Sequence, residues 1–252
     1  MKEHIDTIPL WEAFREDCEC PLCRLHSVNE TNYREYFMGA SLMEPDVRVE
    51  TNKKGFCAKH YGQMFRMSNR LGLALTTHTY LKDVISRIDT DAKARSGQPV
   101  KKGGLFSRKA AAPADDNLSA IGSTCILCER VQTTMQRYIE TFFVTWKKEA
   151  EFKKAFSGCK GFCVEHYAKL MNAAPANLSG ADLAAFTKDL IEVEKKALDR
   201  IEKELEWFTL KFDYRNADKP WGTSEDAVER TLNKLRMLSI PFPDHEPEAR
   251  PK

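Results

Sequence analysis

No run of roughly 18 apolar residues occurs anywhere in the 252-residue chain, so nothing in it reads as a membrane-spanning helix. The opening stretch, MKEHIDTIPLWEAFRED, is charged throughout and lacks the apolar segment of an export signal, which makes the cytoplasm the expected compartment. Net charge is small: 39 basic residues against 37 acidic ones leave +2, and no global field favours nucleic acid or a membrane surface. Glycine and proline are scarce, 12 and 11 residues, below their usual combined share of roughly one in eight. No convincing strand-like alternation appears, so the composition tilts towards helix. A glycine-rich phosphate loop, a G-x-S-x-G elbow and the Glu-x-x-His pairs of di-iron bundles are also missing. These absences exclude a disordered chain, a membrane span and the commonest catalytic signatures. Cysteine is not scarce. Without an export signal, eight cysteines are read as metal ligands or reactive thiols before disulfides.

Their spacing reveals an internal repeat. Cys20-Pro-Leu-Cys23 is followed by Lys54-Gly-Phe-Cys57-Ala-Lys-His60-Tyr61, and Cys125-Ile-Leu-Cys128 by Lys160-Gly-Phe-Cys163-Val-Glu-His166-Tyr167. Cys23 and Cys57 are separated by 33 residues, Cys128 and Cys163 by 34, and six of the eight positions in the KGFCxxHY window are identical. Tyr33, Glu35 and Phe37 recur as Tyr138, Glu140 and Phe142 at the same distance from their CxxC. The chain reads as a duplicated unit of roughly 90 residues. The expected fold is mostly α: two duplicated helical modules and a C-terminal helical segment. Apolar positions at Val131, Met135, Tyr138, Phe142 and Trp146 mark one helix face. Ile191, Leu198, Ile201, Leu205, Phe208 and Phe212 mark a longer one. Further helices are expected from about Ser68 to Ile88, and after the caps Thr223 and Ser224.

The repeated motif has the chemistry of a metal centre. Zinc takes four tetrahedral ligands and favours thiolate and imidazole, and a CxxC joined by a distant CxxH supplies Cys3His. Cys57 and His60 lie about 60° apart on a helical turn and can face one ion. Gly55 permits the tight turn that aims them, and Cys20 and Cys23 sit where a helix begins and its dipole favours thiolates. The expected ligands are Cys20, Cys23, Cys57 and His60 within one half, and Cys125, Cys128, Cys163 and His166 within the other. That gives two zinc ions. Four protein ligands leave no position for substrate water, so the default role is structural. Iron–sulfur ligation and metal-free thiol chemistry compete for the same residues.

Other candidates carry less. Cys18 aligns with Ser123 and Cys159 with Lys53, so neither belongs to the repeat; each is expected beside a different cluster, as a spectator or as a spare thiol for redox exchange. His78 reads as an ordinary surface or core residue, and His26 has Val131 as its counterpart. Glu192, Glu194, Glu202 and Glu204 read as a solvated helix face. In the helix break from Asp213 to Gly222, Trp221 is expected to pack on the bundle while Asp213 and Arg215 cap or pair. A recognition surface is the alternative.

The CPLC…GFCxxH and CILC…GFCxxH pairs, followed by Leu205-Glu-Trp-Phe and Lys211-Phe-Asp-Tyr-Arg-Asn-Ala-Asp-Lys-Pro-Trp-Gly222, resemble the bacterial family DUF6062 over nearly the whole chain. The resemblance implies a bacterial protein and brings no established activity with it.

The expected organisation is a first module at 1–90, a flexible basic linker at 91–120, a second module with its C-terminal helix at 121–240, and a Pro-rich tail at 241–252. The expected function is a non-enzymatic binding, adaptor or regulatory role with structural zinc. A thiol or metal redox sensor using Cys18 and Cys159, and an enzyme with its site near Asp213–Trp221, are the rivals. A protein partner fits this reading, nucleic acid does not, no membrane is involved, and oligomeric state is not written in one chain.

Overall fold

In the computed structural model the described residues are 2–96 and 121–236. The tail at 241–252, and the linker from residue 97 to 120, lie outside them. Among the described residues there are ten α-helices and no strand: α1 (Lys2–Arg15), α2 (Pro21–Met38), α3 (Pro45–Lys54), α4 (Ala58–Arg66), α5 (Arg70–Arg95), α6 (Ile126–Lys148), α7 (Ala150–Gly158), α8 (Val164–Asn177), α9 (Gly180–Leu210) and α10 (Ala227–Arg236). The mostly-α expectation holds. The helix expected to end near Ile88 continues to Arg95, into the first residues of the expected linker. The two halves run in the same order, α2 to α5 and then α6 to α9. In each, a CxxC opens the first helix and a GFCxxH opens the third.

Packing divides the chain differently from 1–90 and 121–240. One compact unit joins Met1–Val28 to Thr134–Lys252, and the other is Asn29–Thr133. The division falls inside α2 and α6, so each of these helices gives its first turns to one unit and the remainder to the other.

The discontinuous unit has an aromatic core. Phe142, Phe143, Trp146, Phe152, Phe156, Phe162 and Phe186 are all buried. Phe142 meets Phe152, Phe156 and Phe186 at 5.6, 5.7 and 5.9 Å, distances at which edge and tilted pairs are favourable. Burying each such ring contributes about 1.5–3 kcal/mol. The face expected on α6 is the buried one. On α9 the stripe is rotated from expectation: Phe186, Leu190, Val193, Glu194, Ala197 and Ile201 face inward, while Phe212 just beyond the helix is exposed. The continuous unit has a smaller core, with Phe56 between Phe37 and Tyr61 at 5.4 and 5.5 Å, and Val47 and Met64 buried.

The Asp213–Gly222 break is a tied loop. The ammonium of Lys211 donates to the carbonyls of Asn216, Ala217 and Lys219 and lies 5.1 Å from the centre of the Trp221 ring. Asp213 accepts from the backbone N–H and guanidinium of Arg215, and Trp221 packs on Phe208. The Trp221 packing and the Asp213–Arg215 pairing match expectation, but no residue from Asp213 to Gly222 is buried and Tyr214 is 86 % exposed, so the corner lies at the surface.

Candidate metal centres

All four metal motifs are built the same way. Cys20, Cys57, Cys125 and Cys163 each stand just before a helix, and their carbonyls accept the first helical hydrogen bonds from Arg24, Tyr61, Glu129 and Tyr167. The second ligand of each motif sits three residues on, in the first turn. A thiol in the capping position takes up an otherwise orphaned N–H. Cys20 Sγ accepts from Cys23 N at 3.4 Å, Cys125 Sγ from Cys128 N at 3.5 Å and Cys163 Sγ from His166 N at 3.5 Å. The partial positive charge of the helix end favours thiolate there.

Tight turns deliver two of these helix starts. Gly55 has φ +61° and Gly161 φ +80°, a region side chains avoid, as the sequence anticipated for Gly55. A Cβ on Gly55 would stand 2.6 Å from the Tyr80 ring, and one on Gly161 would stand 2.7 Å from Ala197 Cβ. Both glycines therefore satisfy a conformational and a packing demand at once.

The four motifs assemble into two groups, with the pairing opposite to expectation. Cys20 and Cys23 meet Cys163 and His166; Cys57 and His60 meet Cys125 and Cys128. Each CxxC is completed by the CxxH of the other half, and each group lies within one of the two compact units. In each group all four ligand atoms lie within 4.8 Å of one another. In the first, Nδ1 of His166 is 3.5, 3.3 and 3.2 Å from Cys20, Cys23 and Cys163 Sγ, and Cys23 Sγ is 3.5 Å from Cys163 Sγ. In the second, Nδ1 of His60 is 3.3, 3.2 and 3.4 Å from Cys57, Cys125 and Cys128 Sγ, and Cys57 Sγ is 3.9 Å from Cys128 Sγ. Tetrahedral zinc, with Zn–S about 2.3 Å and Zn–N about 2.0–2.1 Å, sets S···S near 3.8 Å and S···N near 3.6 Å. The spacings fit a single ion within a few tenths of an ångström. They are far from the roughly 2.05 Å of a disulfide, and all eight cysteines are free.

Local contacts hold each crossing. In the Cys57 group, Ile126 N donates to Gly55 O at 3.1 Å and Thr124 Oγ1 to Lys54 O at 2.7 Å, while Lys54 pairs with Glu129. The start of α6 is thereby laid against the GFC turn. In the Cys20 group Lys234 from α10 does this work. Its ammonium is buried at 1 % exposure and donates to the carbonyls of Glu19 at 2.8 Å and Lys160 at 2.6 Å, one just before each ligand pair. Lys160 also pairs with Asp17 at 2.5 Å. Glu194 Oε2 accepts the N–H of Phe162 at 2.8 Å, fixing the turn before Cys163. Glu194 is thus buried, correcting its reading as part of a solvated face. Burial raises its carboxyl pKa, opposed by the Phe162 hydrogen bond. Glu204 leaves that face too, pairing with Arg200 at 3.0 Å and with Arg230, which joins Asp226 at 2.8 Å.

The two groups differ in their surroundings. His60 Nε2 lies 2.9 Å from Glu30 Oε1, the carboxylate–histidine arrangement that orients a ligand imidazole with Nδ1 towards the metal. Glu30 is buried and also pairs with Lys59 at 2.5 Å; burial opposes its ionisation, but His60 and Lys59 hold it down at about 2. The position corresponding to Glu30 in the second half is Met135, so the repeat gave no hint of Glu30, nor of Lys234 or Glu194. Burial opposes a thiolate at Cys125, yet hydrogen bonds from His60 and backbone N–H groups bring it down to about 6; burial and the neighbouring Cys125 charge push Cys128 up to about 12. Hydrogen bonds from Cys20 and Cys23 hold Cys163 far below the ordinary thiol range. Cys20 and Cys163 are buried, whereas Cys128 is exposed.

Both extra cysteines fall beside the same group, correcting the expectation of one per cluster. Cys18 leads into Cys20, and Cys159 closes α7 before Cys163. Burial lifts both to about 11. Neither joins a ligand group, nor do His26 and His78.

A family model, described as a family of unknown function (DUF6062), matches residues 1–240. No curated protein and no solved structure matches the chain. No helix among the described residues is long and apolar enough to cross a membrane.

Proposed function

We propose, for a chain that belongs to the DUF6062 family and so inherits no assigned activity, that it binds two structural zinc ions and serves as a non-enzymatic binding, adaptor or regulatory protein. The carrying observation is the crossed assembly of two Cys3His groups at tetrahedral spacing. Such a centre is saturated by protein and offers no site for substrate water, so its contribution is to hold segments together. The segments are distant: Cys23 and His166 are 143 residues apart, His60 and Cys125 65. Restricting loops of those lengths in the unfolded chain is worth about 5 and about 4 kcal/mol on the chain-entropy account. Two copies of one ancestral unit that exchanged their CxxC arms account for the matching helix order. Eight free thiols suit a reducing compartment, the cytoplasm, and a protein partner suits an adaptor. Native mass spectrometry on protein purified without chelator tests the reading: two zinc ions are expected, while metal-free folded protein or iron with visible absorbance would overturn it.

A redox sensor is the second reading, favoured by the convergence of Cys18 and Cys159 on one centre. It stands second because thiols held at about 11 carry little thiolate at neutral pH. Zinc release by mild peroxide that is abolished by Cys18→Ser and Cys159→Ser would promote it.

A further inference from the structure

Helix α5 packs one side against α3 and α4. Its other side carries Leu71, Leu75, Leu81, Ile85 and Ile88, exposed at 72, 41, 55, 51 and 47 %. At 100° per residue these five fall within an arc of about 140° and extend about 26 Å along the axis. Single exposed aliphatics are ordinary, but five on one side of a helix, with only His78, Lys82, Asp89 and small residues exposed among them, mark an interaction face. The corresponding long helix of the second half, α9, is covered by α10.

The stripe is close to palindromic. Laid antiparallel on a copy of itself about a midpoint between Thr79 and Tyr80, Leu71 faces Ile88, His78 faces Leu81, and Leu75 faces Ile85 to within one residue. The exposed charges agree with that register. Arg70 faces Asp89, giving two opposite-charge pairs across the axis, and Lys82 faces Thr77. A parallel alignment would instead set Arg70 against Arg70, Lys82 against Lys82 and Asp89 against Asp89. Arg70 also lies 3.6 Å over the exposed Phe65 ring, which extends the apolar surface at the end where Ile88 of a copy would arrive. We propose that this face joins two copies of the chain in a two-fold dimer, α5 antiparallel to α5. The pairing involves no metal, so its failure and that of the zinc proposal are separable.

Gel filtration with light scattering of the full chain, from about 1 to 100 μM, tests it. A dimer is expected, and Leu75→Glu with Ile85→Glu should raise its dissociation constant at least roughly 100-fold, with helicity and zinc content unchanged. Arg70→Asp or Asp89→Arg alone should weaken the dimer a few-fold, and the two together should restore it, because both pairs re-form with signs reversed. This charge-reversal series decides the matter if the double-glutamate variant does not fold. A monomer throughout, as when residues 97–120 of the same chain cover the stripe, would overturn the proposal. So would a dimer indifferent to Leu75→Glu with Ile85→Glu, or a double reversal weaker than either single one.

Discussion

Crossed and uncrossed ligand pairing make opposite predictions for the same residues. Replacing Cys20, Cys23 and Cys163 by Ser and His166 by Ala empties one centre in the crossed arrangement and leaves Cys57, His60, Cys125 and Cys128 intact. Replacing Cys20, Cys23 and Cys57 by Ser and His60 by Ala removes two ligands from each centre. The first variant should retain one zinc ion and the second none, because two ligands alone, Cys163 with His166 or Cys125 with Cys128, do not hold zinc through gel filtration. The stability change follows from linkage: zinc at about 1,000 times its dissociation constant contributes about 4 kcal/mol per centre. For a protein of this size each kcal/mol moves Tm by about 2–4 °C, so losing the Cys20 centre should lower Tm by about 8–16 °C. The assay is metal counting by native mass spectrometry after gel filtration, with calorimetry on the same samples. A zinc-free first variant beside a second that keeps one ion would refute the crossed pairing and restore ligation within each half.

Glu30→Gln keeps the shape but removes the charge facing His60 Nε2. It should weaken zinc at the Cys57 centre about 10–100-fold in chelator competition while leaving the Cys20 centre untouched. Gly161→Ala places a Cβ at φ +80° and 2.7 Å from Ala197. Thermal unfolding should show a loss of about 2–4 kcal/mol, and an unchanged Tm would contradict the tight-turn reading. Zinc affinity at the Cys57 centre should fall as pH is lowered from 8 to 6. Cys128, held at about 12, and His60, which burial lowers but Cys125 and Glu30 raise to about 9, are both protonated in the free centre and must each lose a proton when metal binds, so binding is favoured by higher pH. At least about a hundredfold per pH unit is expected for two protons, and a flat competition profile would be inconsistent with it.

Local pattern made much of this molecule legible. The Val131–Trp146 stripe predicted α6 because a 3.6-residue period is a property of consecutive residues. Gly55 predicted its turn because a positive φ is a one-residue requirement. The α9 stripe was misread in rotation: its inward face includes Glu194, whose burial depends on the Phe162 N–H supplied 32 residues away. Glu30 and Lys234 carried no sequence signal, one because its repeat counterpart is Met135, the other because it lies in a helix outside the repeat.

The eight candidate ligands, their chemistry and their grouping in twos were set by the sequence alone, since a CxxC or CxxH fixes its own geometry on the first turn of a helix. Which pairs combine was decided only by tertiary structure. Two nearly identical CxxH motifs can each complete either CxxC, and nothing within roughly 35 residues of spacing distinguishes them. The choice is made where α2 and α6 each run through both units, where Ile126 binds Gly55, and where Lys234 ties Glu19 to Lys160. Those are contacts across 71, 215 and 74 positions of the chain, beyond the reach of any local pattern.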